Sequence, residues 1–226
     1  MPDTPRPALT PVPFLEANAW ARARGVVLPE VYYGQLQGLA RSTAFSIAGL
    51  AKLDQLQAVL DSLVANLESG ESFGQWQKRV RQGEIPLDLP AHRLENIFRT
   101  NTQGHYGRGR CEQQKRTLEA RPYFLYDAVN DSRTRPAHAA MDGFVARYDD
   151  PTWRVWTPPA GYQCRCRRIS LSEAQAQRFI AADAKRLAAD PDLAQARATA
   201  QPDKGWDYDP CAEPTEGLRR AIERKR

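Results

Sequence analysis

The stretch RPYFLYDAVNDSRTRPAHAAMDGFV, residues 121–145, governs how the whole chain is read. Upstream of it, apolar residues recur every three or four positions, the period of helices. Within it, YFLYDAV (123–129) is aromatic and β-branched, which predicts a strand. NDSRTRPAH (130–138) is turn chemistry, and HAAMDGFV (138–145) predicts a single helical turn. The predicted fold class is therefore α+β: a mainly helical N-terminal half, then a small α+β unit with a short, mostly antiparallel sheet that rests on the helices.

Toward the N-terminus, residues 1–13 carry prolines at positions 2, 5, 7, 11 and 13 and read as an extended arm. That arm lacks the apolar run of a secretory signal, so cytosolic synthesis is expected. Residues 14–120 read as helices. FLEANAWARARG forms a short one ended by Gly25. A longer one starts near Pro29 and carries Leu36, Leu39, Thr43 and Ile47 as one stripe. In LDQLQAVLDSLVANLESG (53–70), Leu53, Leu56, Leu60, Leu63 and Leu67 alternate by three and four, a narrow packing seam stopped by Gly70. Ser72 is placed to cap the next helix, whose buried face is Phe73, Trp76 and Val80. A long helix follows Pro90. Its glycines 104, 107 and 109 each weaken it by roughly 1 kcal/mol relative to Ala, which implies either close approach by another backbone or a kink.

Downstream of the opening stretch, WRVW (153–156) alternates and predicts a strand with Trp153 and Val155 on one side. QCRCRRISL (163–171) predicts another, with Cys164, Cys166 and Arg168 on one face and Arg165, Arg167 and Ile169 on the other. Ser172 caps a helix with Phe179, Ile180 and Leu187 predicted inward. The compact α+β unit thus spans residues 121–190. Residues 191–226 read as a loosely packed tail ending in a basic amphipathic helix.

Composition narrows the function less than the fold. Hydrophobic residues make up 42% and charged residues 26%, so a soluble globular protein is expected. No segment approaches the roughly 18 apolar residues of a membrane span, and no membrane partner is expected. The formal charge of +5 leans mildly toward anionic partners. Candidate nucleic-acid contacts are Arg165, Arg167 and Arg168, and in the tail Arg219, Arg220, Arg224, Lys225 and Arg226. The four cysteines, 111, 164, 166 and 211, are expected as thiols in a reducing cytosol. Cys164 and Cys166 are too close in sequence to bridge each other without strain.

Two groups of residues carry chemistry. Asp131, Arg133, His138 and Asp142 read as a structural corner. Asp131 makes an Asx-turn, His138 bonds a backbone carbonyl, and Arg133 pairs with a nearby acid; Asp131 and Arg133 are expected to pair with each other or with His138. The alternative is a phosphodiesterase, with His138 as general acid or base and Asp131, Arg133 and Arg135 around a phosphate. The second group is Cys164 and Cys166. Thiols at i and i+2 of a strand share a face and so could touch one metal, with Cys111, Cys211, His138 or His105 completing the set. No second Cys or His pair supports this, so two thiols filling a core face, with no metal and no cofactor, is the preferred expectation.

In order along the chain, RTN (99–101) on the long helix, DSRTRPAHAAMDG (131–143) and PPAGYQCRCRR (158–168) form a combined pattern. It resembles that of the head morphogenesis proteins of tailed phages, the family typified by protein F of phage Mu. Asp131, Arg133, His138, Asp142 and Gly143 match one family motif; Pro158, Pro159, Cys164, Arg165 and Cys166 match the other. The resemblance covers about residues 14–172. It implies a non-enzymatic minor head protein of the virion that acts in procapsid assembly near the portal. Its implied partners are the portal protein and/or the major capsid protein, with packaged DNA as a further one. In that setting residues 14–120 would be a docking domain and the motif residues a brace. Relatives have been grouped by fold with small RNase-type toxins, which is what sustains the nuclease alternative.

Overall fold

The computed structural model of the chain describes residues 14–217 and 220. The Pro-rich arm and the tail cations Arg219, Arg224, Lys225 and Arg226 lie outside the described residues.

The N-terminal half contains α1 (Leu15–Arg22), β1 (Gly25–Val26), α2 (Pro29–Gln35), α3 (Leu39–Thr43), β2 (Ala44–Phe45), α4 (Leu53–Ser69), α5 (Phe73–Arg81) and α6 (Ala91–Lys115). The leucine seam of α4 is spent inside the chain. Leu56, Leu60 and Leu63 are at most 1% exposed and pack with Trp76, Ile97, Phe98, Val26 and Phe45 in one apolar core. Gly70 ends α4 in the left-handed region. Ser72 opens α5 with a reciprocal capping box to Gln75. Trp76 is fully buried, and its indole nitrogen donates to Ser62 Oγ at 3.0 Å.

The single helix expected beyond Pro29 is instead three elements. Leu36 takes an extended backbone and Gly38 a positive φ of 49°, which split α2 from α3. The chain then leaves α3 into β2, which pairs in parallel with β1. A stripe at helical spacing cannot register a break made by backbone torsions alone.

Close approach, not a kink, explains two of the three α6 glycines. A Cβ on Gly109 would lie 2.7 Å from the Ala17 backbone nitrogen, so α1 rides directly on α6. A Cβ on Gly107 would lie 2.9 Å from the Pro159 ring, where the Pro158–Pro159 corner docks. Nothing lies within 4 Å of a Cβ at Gly104. The helix α6 is thus the spine on which both halves rest.

The second half contains β3 (Tyr123–Asp127), α7 (Pro136–Ala140), β4 (Val145–Arg147), α8 (Trp153–Trp156), β5 (Arg167–Leu171), α9 (Glu173–Ala189) and α10 (Pro191–Thr199). The sheet is antiparallel with order β4-β3-β5, and Tyr123 faces Leu171 while Asp127 faces Arg167. Strand alternation sends Phe124 and Tyr126 to a core with Met141, Trp153, Trp156, Cys164 and Cys166, and Leu125 to the other face with Leu171 and Ala176.

Three further expectations are corrected here. WRVW is a helical turn, not a strand. Residues three apart share a side of a helix, so both Trp153 and Trp156 are buried, and Trp153 Nε1 donates to Arg147 O at 2.9 Å. In α9, Phe179 and Ile180 face outward at 43% and 37% exposure. The buried face is Ala176, and the half-buried Asp183 and Arg186 beside it join ion pairs to Asp142 and Arg197. Finally, Cys111 and Cys211 form a disulfide across 100 residues. Residues 203–213 return to α6, and Arg108 donates to the carbonyls of Pro210 and Ala212 at 3.1 and 2.9 Å. This return brings the two cysteine Cα atoms to 5.5 Å.

Candidate functional site

The site lies where α7, the turn before it and the segment leading into β5 meet over β3. Pro136 fixes the first turn of α7 and sends His138 inward. The ring is 2% exposed and stands edge-on to Trp156 at 5.6 Å. Its Nδ1 lies 3.3 Å from Tyr126 Oη, 3.6 Å from Cys164 Sγ and 3.5 Å from Cys166 Sγ. Its Nε2 is buried without a hydrogen bond, 3.7 Å from Asp203 Oδ1. His138 therefore faces thiols and a phenol, not the backbone carbonyl expected for it.

The two thiols share one proton environment. The hydrogen bond from Cys166 brings the Cys164 thiol down to about 7. The same contact, together with burial, pushes Cys166 up. Burial likewise raises the Tyr126 phenol, which is neutral at any physiological pH.

The expected Arg133–Asp131 ion pair is present but long, and Arg165 holds the acidic turn more closely. Asp131 takes both guanidinium nitrogens of Arg165 at 2.6 Å, a bidentate pair. That contact, helped by the Arg133 N–H, holds the Asp131 carboxyl far below the usual carboxylate range. The Asx-turn is present, with Arg133 N donating to Asp131 Oδ1 at 3.0 Å. The Arg133 side chain, however, is 72% exposed and its guanidinium reaches Asp131 only at 3.9 Å. Arg135 donates to Tyr162 O at 2.6 Å and pairs with Asp203 at 3.2 Å. Asp142 accepts from Ala128 N at 2.9 Å, and the following Gly143 donates to Tyr126 O at 2.9 Å. These bonds tie the α7 turn to β3.

Pro158 and Pro159 are joined by a cis peptide bond. They sit on Gly107, and Gln163 N donates to Thr100 Oγ1 at 3.0 Å. Thr100, the middle residue of RTN, thereby fastens the proline corner to α6. On its outer side Arg99, Arg133, Arg135 and Arg165, with Tyr162 and Gln163, line an open cavity of about 310 Å³.

Arg168 is not available to nucleic acid. It is 8% exposed and donates to Gln114 Oε1 at 2.9 Å, Thr157 Oγ1 at 2.9 Å and Cys211 Sγ at 3.1 Å. Its guanidinium lies 4.1 Å from the Phe124 ring centre, and burial lowers its pKa to about 10. Strand alternation foretold its face but not its partners. Arg167 is exposed and paired with Asp127, and Arg220 pairs with Glu216 at 2.9 Å. Sequence reasoning missed Tyr126, Asp203, Gln114 and Thr157. Asp203 lies in the stretch expected to pack loosely, and no local pattern marks it.

Two motifs separated by a short connecting segment thus converge on one corner, with Thr100 of RTN behind it. The family model described as "Phage Mu protein F like protein" matches residues 57–169, half of the chain. The chain belongs to this family. It is 34% identical over 184 residues to the putative capsid assembly protein F of Escherichia phage Mu, covering 73% of this chain and 42% of that protein. It is 36% identical over 159 residues to the Mu-like prophage FluMu F protein of Haemophilus influenzae (strain ATCC 51907 / DSM 11121 / KW20 / Rd), covering 63% of this chain and 38% of that protein. The chain therefore spans about two fifths of the curated relatives it matches. No solved structure matches it. Among the described residues, no helix is long and apolar enough to cross a membrane.

Proposed function

We propose that this chain acts in phage head morphogenesis as a non-enzymatic assembly protein, a minor head protein of the virion near the portal. The observation that carries the reading is the direction in which the motif residues point. His138, Cys164 and Cys166 are at most 4% exposed and face one another, and Asp131 is held by Arg165. Groups arranged that way brace a corner and present no imidazole to a substrate. Membership of the Mu F family supports a role in assembly. The name of the phage Mu relative, a putative capsid assembly protein, points the same way. The proposed partners are the portal protein and/or the major capsid protein, docked by the helices of residues 14–120. Packaged DNA is a further proposed partner, reached through the exposed Arg133 and Arg167 and the tail cations. Co-expression of the tagged chain with the portal and major capsid proteins of its own phage tests this. Co-purification with portal or procapsid at a defined low stoichiometry is expected; a chain that elutes alone under all conditions contradicts it.

One observation favours a second reading, a phosphodiesterase: the four-arginine cavity lies on the outer side of the same corner. Labelled RNA and DNA should nonetheless stay intact with the purified protein. Robust cleavage that His138→Ala abolishes, with folding preserved, would establish the enzyme instead.

A further inference from the structure

Three metal-ligating side chains from two motifs meet at one enclosed point. His138 Nδ1 and the sulfurs of Cys164 and Cys166 all lie within 4.8 Å of one another, and all three residues are buried. A zinc ion bound at about 2.3 Å by sulfur and about 2.0–2.1 Å by nitrogen, with tetrahedral angles, separates neighbouring N and S donors by about 3.5 Å. The observed separations are 3.6 and 3.5 Å.

Cys166 hydrogen-bonds Cys164 and Tyr126, but hydrogen bonding does not account for the convergence on His138 Nδ1. Nδ1 of a neutral imidazole offers one lone pair or one proton, so it satisfies one partner at a time. Here it faces three, the two sulfurs and Tyr126 Oη, the last at 3.3 Å, which is long for a bond from a hydroxyl. Metal-binding histidines usually donate their second ring N–H to a carboxylate or carbonyl, and at His138 a carboxylate is near that nitrogen without yet being bonded to it. Nε2 has no hydrogen-bond partner, and a carboxylate oxygen of Asp203 stands 3.7 Å away. In the tautomer with the proton on Nε2, beside that carboxylate, the Nδ1 lone pair is free for an ion.

We propose that His138 Nδ1 and the thiolates of Cys164 and Cys166 bind one divalent, thiophilic cation of the zinc class. Tyr126 Oη stands beside the three donors, 3.3 Å from Nδ1. On binding, the two thiol protons leave to solvent, and the dication and two thiolates form a neutral group suited to burial. The ion clamps the β5 lead-in to α7 over β3, a structural role with no water held for catalysis. This reverses the expectation of two metal-free thiols.

The test begins with the full chain purified from zinc-supplemented cells and passed through gel filtration. Elemental analysis is expected to find one zinc per chain, and a Cys164→Ser/Cys166→Ser variant well under that. Because the variant can fail to fold, wild type is also chelated and its thermal unfolding followed. The midpoint should fall and recover on adding zinc. Cobalt(II) added to the chelated protein should give an intense thiolate-to-cobalt charge-transfer band. Folded wild type with well under one equivalent and a midpoint indifferent to chelator overturns the proposal. So does bound metal whose cobalt form lacks thiolate charge transfer.

Discussion

The two halves of the molecule are held together by different physics. The core around α4 is mostly apolar, and the buried polar residues of α4 itself, Ser62 and Asn66, make local bonds, Ser62 accepting from Trp76 and Asn66 donating to the Glu71 carbonyl. The core beneath the three-stranded sheet admits His138, Arg168, Gln114 and Thr157 among its aromatics. The first half draws its stability from area removed from water, which tolerates shifts of a few tenths of an ångström. The second depends on directional contacts, each of which leaves a desolvated polar group behind if its partner is lost. Family motifs concentrate in the second, where geometry is specified and not merely filled.

Trp76→Ala should be the most damaging single change, at about 4 kcal/mol in denaturant unfolding. It removes a fully buried indole and orphans Ser62. A cost under about 1 kcal/mol would mean that the helical core collapses around the cavity and that area is not what holds it.

Arg168→Lys probes the opposite regime. Lysine preserves the charge but cannot reach Gln114, Thr157 and Cys211 from one planar fork. A loss of about 2 kcal/mol is expected in the same experiment. Equal stability would show that charge alone suffices and would erase the contrast between the halves.

His105 carries the comparison into pH. It is 1% exposed, and burial, reinforced by the neighbouring Arg24, holds its pKa well below the ordinary value. The unfolded chain takes up a proton as pH falls below about 6.5, while the folded one refuses it. Stability is therefore complete above that pH. It declines as pH falls toward the folded value, by at most about 1.4 kcal/mol per pH unit. Unfolding curves at pH 7 and 5.5 should show this decline, and His105→Gln should flatten it. An identical slope in the variant assigns the decline elsewhere.

Phe179→Ser should change stability by less than about 0.5 kcal/mol, since the ring already faces solvent. A larger loss in the isolated chain would mean that α9 packs more tightly than its exposed face indicates.

What was legible in the sequence follows the same divide. The α4 seam and the caps at Ser72 and Ser172 are short-range patterns, and all three stand in the structure. The burial alternation of Cys164, Cys166 and Arg168 was equally readable. Four residues are too few to separate a period of two from a shared face three apart, so WRVW reads as a strand and folds as a helical turn. Hydrophobicity alone turns Phe179 and Ile180 inward, whereas α9 turns Asp183 and Arg186 to the Asp142 turn. The partners of the site were least legible. Arg165 for Asp131, Asp203 near His138 and Cys211 for Cys111 are long-range pairings, the last two closed by the return of the tail, and no local rule encodes them.

The bracing role of the buried corner is tested most directly by urea unfolding of His138→Ala against wild type. A loss of about 2 kcal/mol or more at unchanged slope is predicted, because the substitution leaves Tyr126, Cys164 and Cys166 facing a void. Stability within about 0.5 kcal/mol of wild type would contradict it and return His138 to the list of residues kept for chemistry.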